Sequence, residues 1–394
     1  MSTVPAGPQA DAPAGSTPDP AGGVVVIWRS GLLSGSETFI RNHGTALTRW
    51  RPVFLGATRI ASPLAAADDV VAYPDGPRGR AAFLRLRLTG RSPRVQALLR
   101  RLRPAVVHAH FGGDGWLISD SAARLGVPLV VTVHGHDVTR QPASPGARGA
   151  RYRRNLRQAF DRAAVVIAVS EFIRGRAIAL GADPAKVRVH HTGVPIPPAP
   201  REQDKQWDVL FVGRFVAKKG VDDLLEAVAL LGSRPRVLLI GSGPLEAVLR
   251  ERAAALGVDA TFLGALHPAA VSGYMAQSRI FVSPSRTAPD GDTEGLPTTI
   301  LEAAAMRVPT VSTYHSGIPE AVVHGETGLL CAEGDREALA AHIGRLLADD
   351  ELRERMGRQA RRHVVQRFDL ARQTMLLEEL YAQLASREPA RPAS

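Results

Sequence analysis

The chain has 394 residues, 45% of them hydrophobic, with 49 Lys and Arg against 38 Asp and Glu and a single cysteine. That length is comfortable for two packed domains. No apolar run reaches about 18 residues, so a transmembrane helix is not expected. A lone Cys331 excludes an intramolecular disulfide and a cysteine-based zinc site.

Residues 1–22 are rich in Pro, Ala, Gly and Ser, with two Asp and no Lys or Arg. They lack the basic start and apolar core of a signal peptide. They read as a disordered tail, and a cytoplasmic location is expected. From residue 23 to 198 short apolar runs alternate with helical patterns. VVVIW (24–28), PVFLG (52–56), AVVHA (105–109), PLVVTV (128–133) and AVVIAVS (164–170) are bounded by Gly, Pro or charge. Continuous apolar runs of this length suit parallel strands buried on both faces. Helices are expected over 37–49, 114–125 and 151–160.

VPIPPAP, residues 194–200, then carries four prolines in seven residues. With the polar residues after it, it reads as a stiff linker over 199–207. The alternation restarts over 208–365 with DVLFVG, RVLLIG, ATFLG, IFVSPS and VPTVS, each followed by a helical pattern. A last helical stretch from about 351 to 385 is expected to cross back to the first domain over 366–388. The chain therefore reads as α/β, with two doubly wound domains joined by a hinge.

Charge is uneven. Residues 1–200 hold 26 basic and 12 acidic side chains, and the remainder hold 23 and 26. The excess peaks in the segment bounded by Arg78 and Arg103, where arginines interleave with leucines and no acid occurs. Such a segment suits an anionic membrane surface. The plainer reading, and the first, is a solvated face over ordinary core leucines; contact with nucleic acid or an anionic acceptor is the least favoured.

The chemistry is expected outside the carboxyl ends of the strands. In PSRTAPDGDTEGLPTTILE, residues 284–302, Pro297 suits a first helical position. Glu294 then sits on the loop feeding a helix, and Glu302 lies about one and a half turns inside it. The free amides of Gly295, Leu296 and the following threonines make a phosphate-attracting helix end. The plainer reading has Glu294 capping the helix and Glu302 on the surface. After DVLFVG, Arg214 and Lys219 place two cations at a strand mouth, able to neutralise a diphosphate. Gly241-Ser242-Gly243 is half a dinucleotide loop, or simply close packing. After VVVIW, Gly31 and Gly35 permit a tight loop, with Ser36 placed to cap the next helix. After PLVVTV, His134 is free to face a ligand. A metal site from His134, His136 and Asp137, with His108 and His110 nearby, is a lesser option.

VGRFVAKKG, IGSGPL, FLGAL, VSPSRTAPDGDTEGLPTTILEA and HSGIPEAVVHGETGLL, in this order, resemble the retaining glycosyltransferases of family four, which have the GT-B fold. SETFI, HAHFGG, VHGHD and GDTEGLP resemble the colanic-acid and exopolysaccharide branch of that family. The resemblance implies a donor site for a UDP- or GDP-sugar. Glu294 would face the sugar hydroxyls and Glu302 the ribose. Arg214 and Lys219 would hold the diphosphate, with the segment Gly295, Leu296, Pro297, Thr298 and Thr299 at the helix end. His134 would lie near donor sugar and acceptor, and Gly35 and Ser36 would close on the phosphates. Gly264 of FLGAL belongs to the same donor set. His134, Glu294, Arg214 and Lys219 are the catalytic candidates. The implied reaction moves a sugar, with retention, to a carbohydrate, lipid-linked or small-molecule hydroxyl. It needs no cofactor and no metal; no Asp-x-Asp motif is read anywhere in the chain, so an Mg²⁺-bridged diphosphate is not expected, and nucleic acid is not an expected partner. The rival readings are a nucleotide-sugar epimerase or a phosphorylase on the same fold, or a basic binding module.

Overall fold

The computed structural model describes residues 22–199 and 204–386. Most of the expected 1–22 tail, part of the expected linker and residues 387 and 388 of the expected last segment lie outside the described residues.

The first half builds one parallel sheet of seven strands. They are β1 Val24–Leu32, β2 Arg51–Arg59, β3 Val70–Val71, β4 Val106–His110, β5 Leu129–Val133, β6 Val165–Ala168 and β7 Val187–Val189. Their order is β3-β2-β1-β4-β5-β6-β7. The second half builds a parallel sheet of six: β8 Trp207–Val212, β9 Val237–Ile240, β10 Ala260–Phe262, β11 Ser278–Ser283, β12 Thr310–Thr313 and β13 Gly328–Cys331. Its order is β10-β9-β8-β11-β12-β13. In each sheet the order of strand addition reverses once, between β1 and β4 and between β8 and β11, and such switch points open a crevice at the strands' carboxyl ends.

The central strands are largely apolar because helices cover both faces. Val25, Val26, Ile27 and Trp28 of β1 are fully buried, as are Val209, Leu210 and Phe211 of β8. Register follows from these runs: Ile27 lies opposite Phe54 and His108, and Leu210 opposite Leu238 and Phe281.

Several boundaries differ from the sequence reading. β1 runs through Gly31 to Leu32, so that glycine lies in the strand and not in a loop. Its pairing with Thr58 of the long β2 extends the ladder past the apolar run. The expected final helix is two helices, Asp350–Arg367 and Leu370–Ala385. Asp369 breaks them apart, its carboxylate accepting from the Arg372 amide as an N-cap. At this break the chain pairs with the first crossing between the sheets: Val194 N–H donates to Phe368 O at 2.9 Å, and Leu370 N–H to Val194 O at 3.0 Å.

Helix Leu370–Ala385 packs on the first sheet. Tyr381 is fully buried there beside Trp50, Val106 and Val130. The buried Glu378 carboxylate accepts from the amides of Thr48 at 2.7 Å and Arg49 at 2.6 Å. It thereby satisfies two backbone donors at the end of the segment joining helix Thr38–Thr45 to β2.

Candidate active site

The segment after β8 is positioned by glycine. A Cβ on Gly241 would stand 1.9 Å from Gly213 O, and one on Gly243 2.5 Å from Phe215 O. These glycines therefore let the 213–215 backbone lie against the β9 exit, a close approach of two loops and not a dinucleotide cradle. The chain then makes a short turn, Ala217–Lys219, and Gly220 takes a left-handed φ of 62° with its α-carbon against Pro284 O. The result brings Lys219 beside the loop that follows β11.

Lys219 Nζ lies 3.0 Å from Glu294 Oε1 as an ion pair whose angle departs from that of an aligned hydrogen bond. Glu294 is buried. Burial pushes its pKa up, but Lys219 and Lys218 outweigh that and bring it down to about 2. Lys218 fixes the same loop from the other side, donating to Thr293 O at 3.0 Å and pairing with Asp292 at 3.3 Å. His315 completes the frame: its Nε2 accepts from the Glu294 amide at 3.1 Å, and its Nδ1 meets Glu333 at 2.6 Å. Arg214 is exposed and has no acidic partner among the described residues.

The helix begins one residue later than expected. It spans Thr298–Ala305, and Pro297 is the N-cap at ψ 110°. Among the described residues the amides of Gly295 and Leu296 donate to no backbone carbonyl. Pro297 has no N–H to offer, so the helix end is built from Gly295, Leu296, Thr298 and Thr299. Thr299 Oγ1 is buried without a hydrogen-bond partner. Glu302 lies inside this helix, and burial raises its pKa, opposed only by a hydrogen bond from Thr298. The two carboxylates therefore differ: Glu294 is a firmly charged acceptor, and Glu302 is one that meets no cation. Gly264 follows β10 at a φ of 72°, and its carbonyl accepts from Gly241 N at 2.8 Å.

From the other sheet, the turn after β5 reaches the same loop. A Cβ on Gly295 would stand 1.7 Å from His134 O, and one on Gly135 3.1 Å from Thr293 O. His134 and Glu294 are thus neighbours across the two sheets. Ser170 Oγ also donates to Gly295 O, at 3.2 Å. Asp137 is consumed in shaping the turn, accepting from the amides of Gly112, His134 and Gly135 at 2.9 to 3.0 Å. It is not free to join His134 and His136 around a metal.

His134 lies against Phe39 and Phe111 in tilted contacts, with ring centroids 4.8 and 4.6 Å away, and stacks on His110, whose Nδ1 meets its Nε2 at 3.1 Å. Burial lowers its pKa to about 4, only partly offset by Asp137, so the ring is neutral at pH 7. Behind it, nitrogens of His43, His108 and His110 lie within 4.8 Å of one another. Both nitrogens of His108 are engaged, by Tyr381 OH and Thr132 Oγ1, each at 2.6 Å. The rings of His108 and His110 are stacked 4.5 Å apart, which sends their lone pairs side by side and not toward one point. This is an imidazole column, not a preformed ligand set.

Gly35 and Ser36 are exposed on the loop before helix Thr38–Thr45. Ser36 is not the cap: Glu37 occupies the N-cap position and turns its carboxylate to the Ser34 amide, 3.1 Å, and to Arg29, 2.6 Å. Arg29 also pairs with Asp114 and lies over the Phe111 ring. Burial opposes its charge, but Asp114 and Glu37 outweigh burial and hold its pKa above the ordinary range. Arg29, Lys218 and His315 were missed as framework residues. A charged residue directly after the apolar run VVVIW was the available signal for Arg29. Residues 290–292 do read Asp-Gly-Asp, correcting the expectation that no Asp-x-Asp spacing occurs. Asp290 pairs with Arg140 at 2.7 Å and Asp292 with Lys218, so each faces a cation.

Residues 33–196 match the family described as Glycosyltransferase Family 4, and residues 195–363 match the one described as Glycosyl transferases group 1. WcaL of Salmonella typhimurium, named for colanic acid biosynthesis, is 31% identical over 66% of this chain and 66% of its own length, just under two thirds. A GDP-mannose-dependent alpha-(1-6)-phosphatidylinositol monomannoside mannosyltransferase of Mycolicibacterium smegmatis is 30% identical over 70% of this chain and 75% of its own. A crystal structure of Anabaena HepE in complex with UDP superposes with a TM-score of 0.75 over 91% of this chain and 99% of that one, at 19% identity. The chain belongs to glycosyltransferase family 4, its two parallel sheets arranged as a GT-B fold.

Proposed function

We propose that the protein is a retaining glycosyltransferase that moves a sugar from a nucleoside-diphosphate sugar to an acceptor hydroxyl in cell-surface polysaccharide synthesis. The observation that carries this reading is the Lys219–Glu294 ion pair set beside the open helix end at Thr298, at the β8–β11 switch point. Arg214 and Lys219 hold the diphosphate and offset charge as it leaves, with the amides of Gly295, Leu296, Thr298 and Thr299 adding a fixed dipole. Those charges suffice for a leaving diphosphate without a metal. Glu294 accepts from the sugar hydroxyls, and Glu302 from the ribose. Neutral His134 lies on the acceptor side of the same cleft. The sugar is delivered to the face that the diphosphate leaves, and the departing phosphate takes the acceptor proton. The acceptor is a carbohydrate or lipid-linked hydroxyl, consistent with the relatives named for exopolysaccharide and phosphatidylinositol mannoside synthesis. No described helix is long and apolar enough to cross a membrane. The segment from Arg78 to Arg103 provides peripheral contact with an anionic inner surface.

A thermal-shift panel of UDP, GDP and ADP with their sugar conjugates, with and without EDTA, tests this. One nucleotide should stabilise the chain by about 2.7 kcal/mol at 100 times its Kd, unchanged by EDTA. Stabilisation by none of them overturns the donor site, and a shift abolished by EDTA overturns metal independence.

A further inference from the structure

Away from the cleft, helices Pro77–Thr89, Gly112–Arg124 and Gly146–Arg162 border a half-open cavity of about 440 Å³. That volume falls in the range of small-ligand sites. Helix Gly112–Arg124 starts at the carboxyl end of β4, so Asp120, which lines the cavity, lies about 12 Å down the helix from that end. The cavity is therefore on the helical layer and not at the switch point.

Its lining is cationic. Arg85, Arg91, Arg154 and Arg162 border it, against the single carboxylate of Asp120. That carboxylate is already held by Arg124 at 2.8 Å, and Arg91 stands 3.9 Å from it. Arg162 donates to Ser119 Oγ at 3.0 Å. Neither Arg85 nor Arg154 has a carboxylate within 4.0 Å among the described residues. Asn155, also in the lining, is only 9% exposed, and its Oδ1 has no hydrogen-bond partner. The wall is fixed, since the Trp116 indole donates to Gln158 Oε1 at 3.0 Å.

Four guanidinium groups around one hollow repel one another, and the acid present is already shared. An anion removes that repulsion, and the planar guanidinium fork matches the oxygens of phosphate. Leu84 and Leu88 stand more than half exposed on helix Pro77–Thr89, with Leu88 in the lining itself. We propose that this cavity binds the phosphate group of a phosphate ester, with Arg85 and Arg154 as its free cations and a hydroxyl or amine of the ligand donating to Asn155. The ester is either a soluble one or a phospholipid headgroup whose chains lie over Leu84 and Leu88. The proposal is independent of the donor-site reading, because none of these residues belongs to that site.

The test uses the full chain and three proteins: wild type, Arg85→Gln/Arg154→Gln, and a control, Arg355→Gln/Arg362→Gln, exposed on helix Asp350–Arg367 away from both the cavity and the Arg78–Arg103 segment. Glycerol 3-phosphate binding is measured by calorimetry at constant ionic strength. Co-sedimentation is measured with phosphatidylcholine vesicles, with and without phosphatidylglycerol. Loss of at least tenfold in affinity in the first variant, but not in the control, is expected in one arm. Loss in calorimetry identifies a soluble ester, and loss only with phosphatidylglycerol vesicles identifies a headgroup. Equal binding by wild type and the cavity variant, no binding in either arm, or equal losses in both variants overturns the site. UDP stabilisation, read in the same samples, reports separately on the donor site.

Discussion

Glu294 and Glu302 look alike in sequence and differ in the folded chain because of one cation. Lys219 and Lys218 hold Glu294 charged down to about pH 2, whereas burial acts on Glu302 almost unopposed. Lys219→Ala should therefore cost about 100-fold or more in kcat/KM, the scale of losing one charge-stabilising donor. Because its carboxylate loses that cation, the variant's pH–rate profile should also gain an acid limb above that of wild type. A wild-type rate, with unchanged circular dichroism, would remove Lys219 from the site. Sequence spacing placed Glu294 before a helix and Lys219 after a strand. It held no sign that the two meet, since the contact depends on Gly220 seating against Pro284.

At the level of elements, the loop 293–295 and the turn 134–135 are fitted without room for a side chain. Gly295 carries no Cβ because one would collide with His134 O. Gly295→Ala should leave both sheets folded yet hold them apart. Transfer should fall at least tenfold while UDP still stabilises the protein, and small-angle scattering should report a larger radius of gyration. Unchanged transfer and radius would mean that this contact is dispensable. Strands and most helices were legible because short apolar runs between Gly, Pro and charge have few other solutions in a parallel sheet. Their ends were not. β1 overran Gly31 because β2 offered it a partner, and Glu37 displaced Ser36 as the cap residue because Arg29 drew its carboxylate inward.

Across the whole molecule, the buried imidazoles tie stability to pH. Burial, reinforced by neighbouring imidazoles, lowers His43 to about 3 and His190 to about 4, and His134 also falls to about 4. In the unfolded chain each takes a proton near pH 6.5. Between pH 6.5 and about 4 the unfolded state therefore binds more protons, and stability falls as pH falls. At pH 5 each such histidine costs on the order of 2 kcal/mol. The urea midpoint should drop clearly from pH 7 to pH 5, and His43→Asn should flatten that dependence. Equal midpoints at the two pH values would refute the account.

The sequence by itself determined the two α/β halves, the proline-rich segment after Val194 and the helix end that follows Glu294. Those follow from apolar periodicity, proline and helix termini, which act over a few neighbouring residues. Only the tertiary structure decided which charges pair, that His134 abuts Gly295, that helix Leu370–Ala385 seals the first sheet through Tyr381, and that four arginines share one cavity. Each of these joins residues far apart in the chain. Their energies depend on burial and distance, which a linear order does not contain.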